Sequence, residues 1–188
     1  MHPLTNIIFI CWLVFWLYWL ISAFGSKKNA TSNIKRFMGI RVVIFVLAVI
    51  LFRSLNSQNY SLQNRTVTDS GLVLAVGFIV FLTGLTLAVW ARIYLGKNWG
   101  MPMSQKQDPE LVTSGPYHYV RHPIYSGILL AMLGSAIAVS TFWLAVLAIA
   151  GLYFIYSAVQ EEKLMTKQFP KVYPAYKRKT KMLIPFIF

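Results

Sequence analysis

The chain has 188 residues, of which 57% are hydrophobic and 12% charged, and its 18 Lys and Arg against 5 acids give a net charge of +13. A soluble domain carries about 25% charged residues, so the polar side chains here are too few to coat a soluble surface, and the apolar content is too high for disorder. One bilayer span takes ~20 apolar residues, which leaves room for about five spans and only small parts outside them. The lone cysteine, Cys11, excludes a disulfide framework and a Cys-based zinc site.

Five apolar stretches follow one another along the chain: residues 7–24, 40–52, 71–91, 124–139 and 142–158. The first does not read as a signal peptide, because its apolar core is long and no small-residue cleavage site follows. Arg41 and Arg53 flank the second, which is short. Only Ser140 and Thr141 separate the last two, which predicts a tight helical hairpin. Gly127, Ala131 and Ser135 fall four apart on the fourth stretch and make a small-residue stripe for close helix contact. The expected fold is therefore an all-α integral membrane bundle of about five transmembrane helices.

Charge then sets an expected orientation. Segments 25–41, 92–121 and the tail after residue 158 hold sixteen of the basic residues, and only Arg53 and Arg65 lie on the other side. The positive-inside rule puts the N-terminus outside and the C-terminal tail in the cytoplasm. That would be the cell membrane of a prokaryote or the endoplasmic reticulum of a eukaryote. The expected partner is the lipid bilayer; no groove-reading motif accompanies the charge, so nucleic acid is not expected. Two sequons, at Asn59 and Asn64, fall on the outer loop and carry little weight at that length.

Chemistry is expected on the cytoplasmic parts, which hold Asp108, Glu110, Glu161 and Glu162, four of the five acids. Between Tyr117 and Tyr125 lie three Tyr, two His and one Arg. Membrane anchoring accounts for some of these: Arg121 snorkels, the tyrosines form an interfacial belt and His122 caps the next helix, with Pro123 in its first turn. Their density exceeds what anchoring requires. Glu161 and Glu162 end the last apolar stretch, and adjacent helical positions point about 100° apart, so the pair is expected to serve two faces, Glu162 turning to Lys163 or the tail. A carboxylate at a helix C-terminus beside lipid is costly unless a cation meets it. It is either a solvated acid at the helix exit or a group kept for a cationic ligand. In the tail, Phe169, Val172, Tyr173 and Tyr176 recur at helical spacing among lysines, which describes an amphipathic segment on an anionic leaflet or a lid over a site.

Taken in order, Leu95-Gly96-x-x-Trp99, Gly115-Pro116-Tyr117, Arg121-His122-Pro123-x-Tyr125, Glu161-Glu162-x-Leu164, Phe169-x-x-x-Tyr173-x-x-Tyr176 and Pro185 resemble the isoprenylcysteine carboxyl methyltransferase family, whose phospholipid-methylating relatives share much of the pattern. The resemblance spans residues 95–188. It implies a single membrane methyltransferase domain over 1–188, with two N-terminal spans in 1–70 and a catalytic core in 71–188. It also implies S-adenosylmethionine as cofactor and a lipophilic methyl acceptor. By position, Pro109, Glu110, Leu111 and Val112 would border the adenine through backbone groups. Tyr117, His122, Pro123, Ile124 and Tyr125 would line the cofactor pocket, and Glu161 would receive the α-amino group. Arg121 and Ser157 are the candidates for contact with the acceptor. The pattern departs at Ser157, where the carboxyl methyltransferases carry the Arg that holds the substrate carboxylate, at Pro170 after the tail Phe, and at 100–103, which leaves Gln105 as the stand-in for a cofactor-binding Gln. A phospholipid amine methyltransferase is the nearest alternative. A non-enzymatic scaffold or transporter and a nicotinamide-dependent sterol reductase relative are more distant ones.

Overall fold

The computed structural model describes residues 3–24, 70–100, 110–185 and 187. Among them are five helices: α1 (Pro3–Ala23), α2 (Gly71–Leu95), α3 (Pro123–Ala138), α4 (Phe142–Gln168) and α5 (Tyr173–Lys179), with short 3-10 turns at Gly96–Asn98 and Gly115–His118. No strand occurs among the described residues; the nearest thing to one is an isolated parallel bridge between Val120 and Lys181. The expected all-α membrane bundle is therefore observed. Three helices, Leu4–Ser22, Gly71–Asn98 and Phe142–Gln168, are long and apolar enough to cross a membrane, and Pro123–Ala138 is a shorter apolar helix. The expected span at 40–52, Arg41, Arg53, Arg65, both sequons and Gln105 lie outside the described residues.

The sequence explains the tightest contact. Gly77 and Gly84 of α2 face Gly134 and Gly127 of α3, and a Cβ on Gly127 would stand 2.6 Å from the backbone nitrogen of Ala88. In lipid, apolar side chains gain little by leaving the solvent, so such close backbone approach is what holds helices together. Two members of the stripe read from the sequence, Gly127 and Ala131, do meet α2. Ser135 serves α1 instead: its hydroxyl accepts from Trp12 Nε1 at 3.1 Å. Trp12 also stacks on Trp143 of α4, with ring centroids 5.6 Å apart. Ile8, Trp12 and Phe15 bury one stripe of α1, while Leu13 and Leu17 on the other side stay exposed, as a lipid-facing surface requires.

The α3–α4 hairpin turns through Val139, Ser140 and Thr141, close to where the sequence places it. Helix α4 has 27 residues, so at about 1.5 Å per residue it is about 40 Å long, well beyond the ~30 Å of a hydrocarbon core. Glu161 and Glu162 therefore fall where the helix leaves the apolar layer, with two further helical turns beyond them rather than at the helix end. The tail turns back at Phe169–Val172, and α5 lies beside α4 and reaches the turn before α3 through Tyr176.

Candidate functional site

The site is assembled at the end of the bundle where α3 begins and α4 emerges. Gly115, at φ 59°, opens the turn that carries Tyr117. Pro123 occupies the first turn of α3, where its missing N–H costs nothing. Just before it, the backbone pairs with the tail: Arg121 N–H donates to Lys181 O at 2.8 Å and His122 N–H to Met182 O at 3.0 Å. Ser126 Oγ donates to Leu183 O at 2.5 Å, and Tyr176 Oη donates to Tyr117 O at 2.6 Å. His122 is the N-cap residue of α3 by position, but its side chain makes no cap hydrogen bond.

Two carboxylates organise the polar groups. Glu162 is buried and takes Arg121 Nε at 2.6 Å and Lys177 Nζ at 2.6 Å. The Arg121 guanidinium also donates to the carbonyls of Lys177 and Thr180, so it ties α4 to the tail. Glu161 accepts from Tyr125 Oη at 2.6 Å. The imidazole of His122 lies between the two acids, Nδ1 at 3.5 Å from Glu161 Oε2 and Nε2 at 3.7 Å from Glu162 Oε1. The adjacent glutamates thus take separate partners, Glu161 meeting Tyr125 and Glu162 meeting Arg121 and Lys177 of the tail, as their divergence of about 100° leads one to expect. The His122 ring stands between them. Burial alone would pull the His122 pKa down; the hydrogen bonding and charge of Glu161 and Glu162 more than offset it, and the imidazole is shifted toward its charged form. Burial pushes Tyr176 up to about 12 and raises Tyr117 and Tyr173 as well, so these phenols keep their protons.

These groups border a cavity of about 310 Å³, within the range of a small-molecule site. Of the residues singled out in the sequence, Glu110, Leu111, Val112, Tyr117, Arg121, His122, Ile124, Tyr125 and Glu161 line it. Pro109 lies outside the described residues, and two others do not take the place expected of them. Pro123 is fully buried and off the wall, its ring packed within the first turn of α3. Ser157 is also fully buried and off the wall, and its Oγ has no hydrogen-bond partner. A step of four residues still turns about 40° around a helix, enough for Glu161 to reach the cavity and Ser157 to miss it.

Several wall residues were not singled out in the sequence: Trp16 and Trp19 come from α1, and Ile128, Phe154 and Met165 from α3 and α4. Trp99, of the Leu95-Gly96-x-x-Trp99 block, joins them from the segment after α2. Phe154 stacks on Tyr125 at 4.5 Å, and Tyr125 on His122 at 5.4 Å, so one layered column runs along the cavity. Arg92 stands behind the Trp99 wall. It donates to Ser22 O at 2.6 Å and Gly96 O at 2.8 Å, and its guanidinium lies 4.7 Å over the Trp99 ring. It thereby pins the C-terminal ends of α1 and α2 to each other, placing positive charge where the helix dipoles favour it.

Fold and site together define a membrane protein with a ligand-sized, aromatic, carboxylate-bearing cavity at one end of its bundle. The phospholipid methyltransferase family model matches residues 72–172, more than half of the chain, and the chain belongs to this family of membrane methyltransferases. The match covers every block of the RHPxY and glutamate pattern and stops within the tail. Among curated proteins, the cobalt-zinc-cadmium resistance protein CzcN of Cupriavidus metallidurans is 34% identical over 148 residues, 77% of this chain and 60% of that protein. The nickel-cobalt-cadmium resistance protein NccN of Alcaligenes xylosoxydans xylosoxydans is 29% identical over 147 residues, 77% of this chain and 62% of that protein. The chain thus spans about three-fifths of the length of these relatives.

Proposed function

We propose that the chain transfers a methyl group from S-adenosylmethionine to a lipophilic acceptor, and that the cavity beside Glu161 is where the two meet. The observation that carries this reading is the pairing of a partly exposed carboxylate with aromatic faces in one ligand-sized cavity. The residues fit the cofactor: Glu161, its side chain 23% exposed, can receive an ammonium. The aromatic wall of Trp16, Trp19 and Trp99 suits a cationic sulfonium. The stretch from Glu110 to Val112 offers a backbone edge for an adenine. When bound, the cofactor supplies an electrophilic methyl group that an acceptor takes by in-line displacement.

What the chain contributes is placement. Tyr125 fixes the Glu161 carboxylate through its hydroxyl. The His122 ring stands between the two glutamates and stacks on Tyr125, so we assign it to positioning and not to general-base duty. The acceptor then reacts as an anion, a thiolate or an amine that has already given its proton to water, and positioning with water exclusion supplies the rate. The apolar wall from Trp16, Ile128 and Phe154 suits an acceptor that comes from the bilayer, and the basic tail is assigned to the cytoplasmic side.

Within this reading a lipid amine is favoured over a prenylcysteine carboxylate. The Arg121 guanidinium and the His122 imidazole on the described wall already face carboxylates, and Ser157 brings no charge. The two relatives are named for metal resistance. Among the described residues no group of three or more His, Cys, Asp or Glu is placed to hold a metal ion. The test is incubation of the protein with methyl-labelled S-adenosylmethionine and three acceptors: phosphatidylethanolamine, a prenylcysteine and a small thiol. Label in the lipid amine is expected. Efficient labelling of the prenylcysteine carboxylate would overturn the choice of acceptor, and label in none of the lipophilic acceptors would count against the reading itself.

A further inference from the structure

The segment after Glu162 contains no acid, and its seven basic residues, Lys163, Lys167, Lys171, Lys177, Arg178, Lys179 and Lys181, are all exposed. The rest of the chain offers them little. Of its five acids, Glu162 pairs with Lys177, Glu161 is turned into the site, Glu110 is engaged by Asn98, and Asp69 and Asp108 are all that remain. Apolar residues share this surface: Val172 is 58% exposed, Ile184 50% and Ile187 75%. Its level is fixed as well. The hydrogen bonds from Arg121, His122 and Ser126 to the carbonyls of Lys181, Met182 and Leu183 place this strand of the tail beside the first turn of an apolar helix, at the boundary of the hydrocarbon layer. The other side of the same segment closes the cavity through Tyr173 and Tyr176.

We propose that the outer face of the tail docks on the phosphate-bearing headgroups of anionic phospholipids in the adjoining leaflet, and that this contact holds the tail shut over the cavity. The charge complementarity is one-sided, the apolar residues lie where they can enter the interface, and the inner face is already tied to α3 and α4. Cofactor affinity then depends on the anionic lipid content of the membrane. That dependence rests on the function proposed above; the lipid contact itself does not.

The experiment uses the full chain in nanodiscs of phosphatidylcholine alone or with a third of the lipid replaced by phosphatidylglycerol. Amide hydrogen exchange over residues 173–184 is followed, and S-adenosylmethionine binding is measured in the same discs. A Lys or Arg close to an anionic surface strengthens attachment by about fivefold, so with Arg178, Lys179 and Lys181 the tail exchange is expected to slow by about tenfold or more in the anionic discs. High salt and the triple variant Arg178→Gln, Lys179→Gln, Lys181→Gln should abolish the slowing, and the cofactor should bind severalfold more tightly in the anionic discs. Equal exchange in both discs, slowing that survives the triple variant, or the same slowing from inorganic phosphate in phosphatidylcholine discs would each overturn the docking. Slowed exchange with unchanged cofactor affinity would overturn the closure. Binding of the cofactor in neither disc would instead overturn the function proposed above, and the exchange data would still decide the docking.

Discussion

Glu162 is buried and accepts from two cations in very different settings. Arg121 has a side chain only 8% exposed, while the side chain of Lys177 is 49% exposed. Replacing Glu162 by Gln keeps the shape and removes the charge, which leaves the Arg121 guanidinium buried without its counter-ion. Breaking a buried pair from one side costs about 3–5 kcal/mol. We place this case at about 3, because the guanidinium keeps its bonds to the carbonyls of Lys177 and Thr180. The exposed lysine loses little when its partner goes, so Lys177→Met should cost under about 1 kcal/mol. The tail is the part these bonds hold, so its opening is the sensitive readout. A loss of about 3 kcal/mol raises the open population by about a hundredfold or more. Trypsin cleavage at the basic tail, with the protein in detergent and with protease limiting, reports that population. The reasoning is refuted if Lys177→Met accelerates cleavage as much as Glu162→Gln, or if neither changes it.

Other consequences follow from the same geometry. His122 has its pKa raised above 6.5 in the folded protein. Its charged form therefore adds stability that is full below the unfolded value of about 6.5 and is lost as pH rises through the folded value. The melting-temperature gap between the wild type and His122→Gln should be widest in mildly acid buffer and shrink as the pH rises; a gap that grows with pH contradicts the assignment. Gly84→Ala would drive a methyl group into the Gly127 carbonyl oxygen at 2.6 Å and into the backbone of Ala131. Backbone cannot yield as a side-chain tip can, so we expect a loss of about 1–3 kcal/mol, read as lowered thermal stability in detergent. Gly71→Ala, which meets nothing within 4 Å, is the neutral control.

Much of this site could be read from the chain. The RHPxY block works from sequence because Pro123 fixes where α3 starts, and the residues around it are then carried to one rim. Glu161 stood out because a carboxylate at the edge of an apolar helix needs a partner. The wall supplied by α1 was not legible. Trp16 and Trp19 sit in a run that is apolar all round, and for Trp19 it is the contact with Trp99, from another part of the chain, that marks the side facing the site. Glu162 does turn to the tail, through Lys177, as helical spacing suggests. What spacing could not show is what the loop before α3 brings to the same carboxylate, Arg121 and His122. The length of α4 was underestimated because hydropathy ends at Ala158 while the helix continues to Gln168 on polar residues of good helix propensity.

The central claim is that Glu161 holds the cationic end of a methyl donor. It is tested most directly by calorimetric titration of S-adenosylmethionine into the purified protein and into Glu161→Gln, with Ser157→Ala as the control off the cavity wall. A hydrogen bond to a charged group contributes about 1.5–3 kcal/mol, so Glu161→Gln should bind about ten to a hundred times more weakly and Ser157→Ala like the wild type. Equal affinity in Glu161→Gln and the wild type, or no binding to the wild type, would contradict the account.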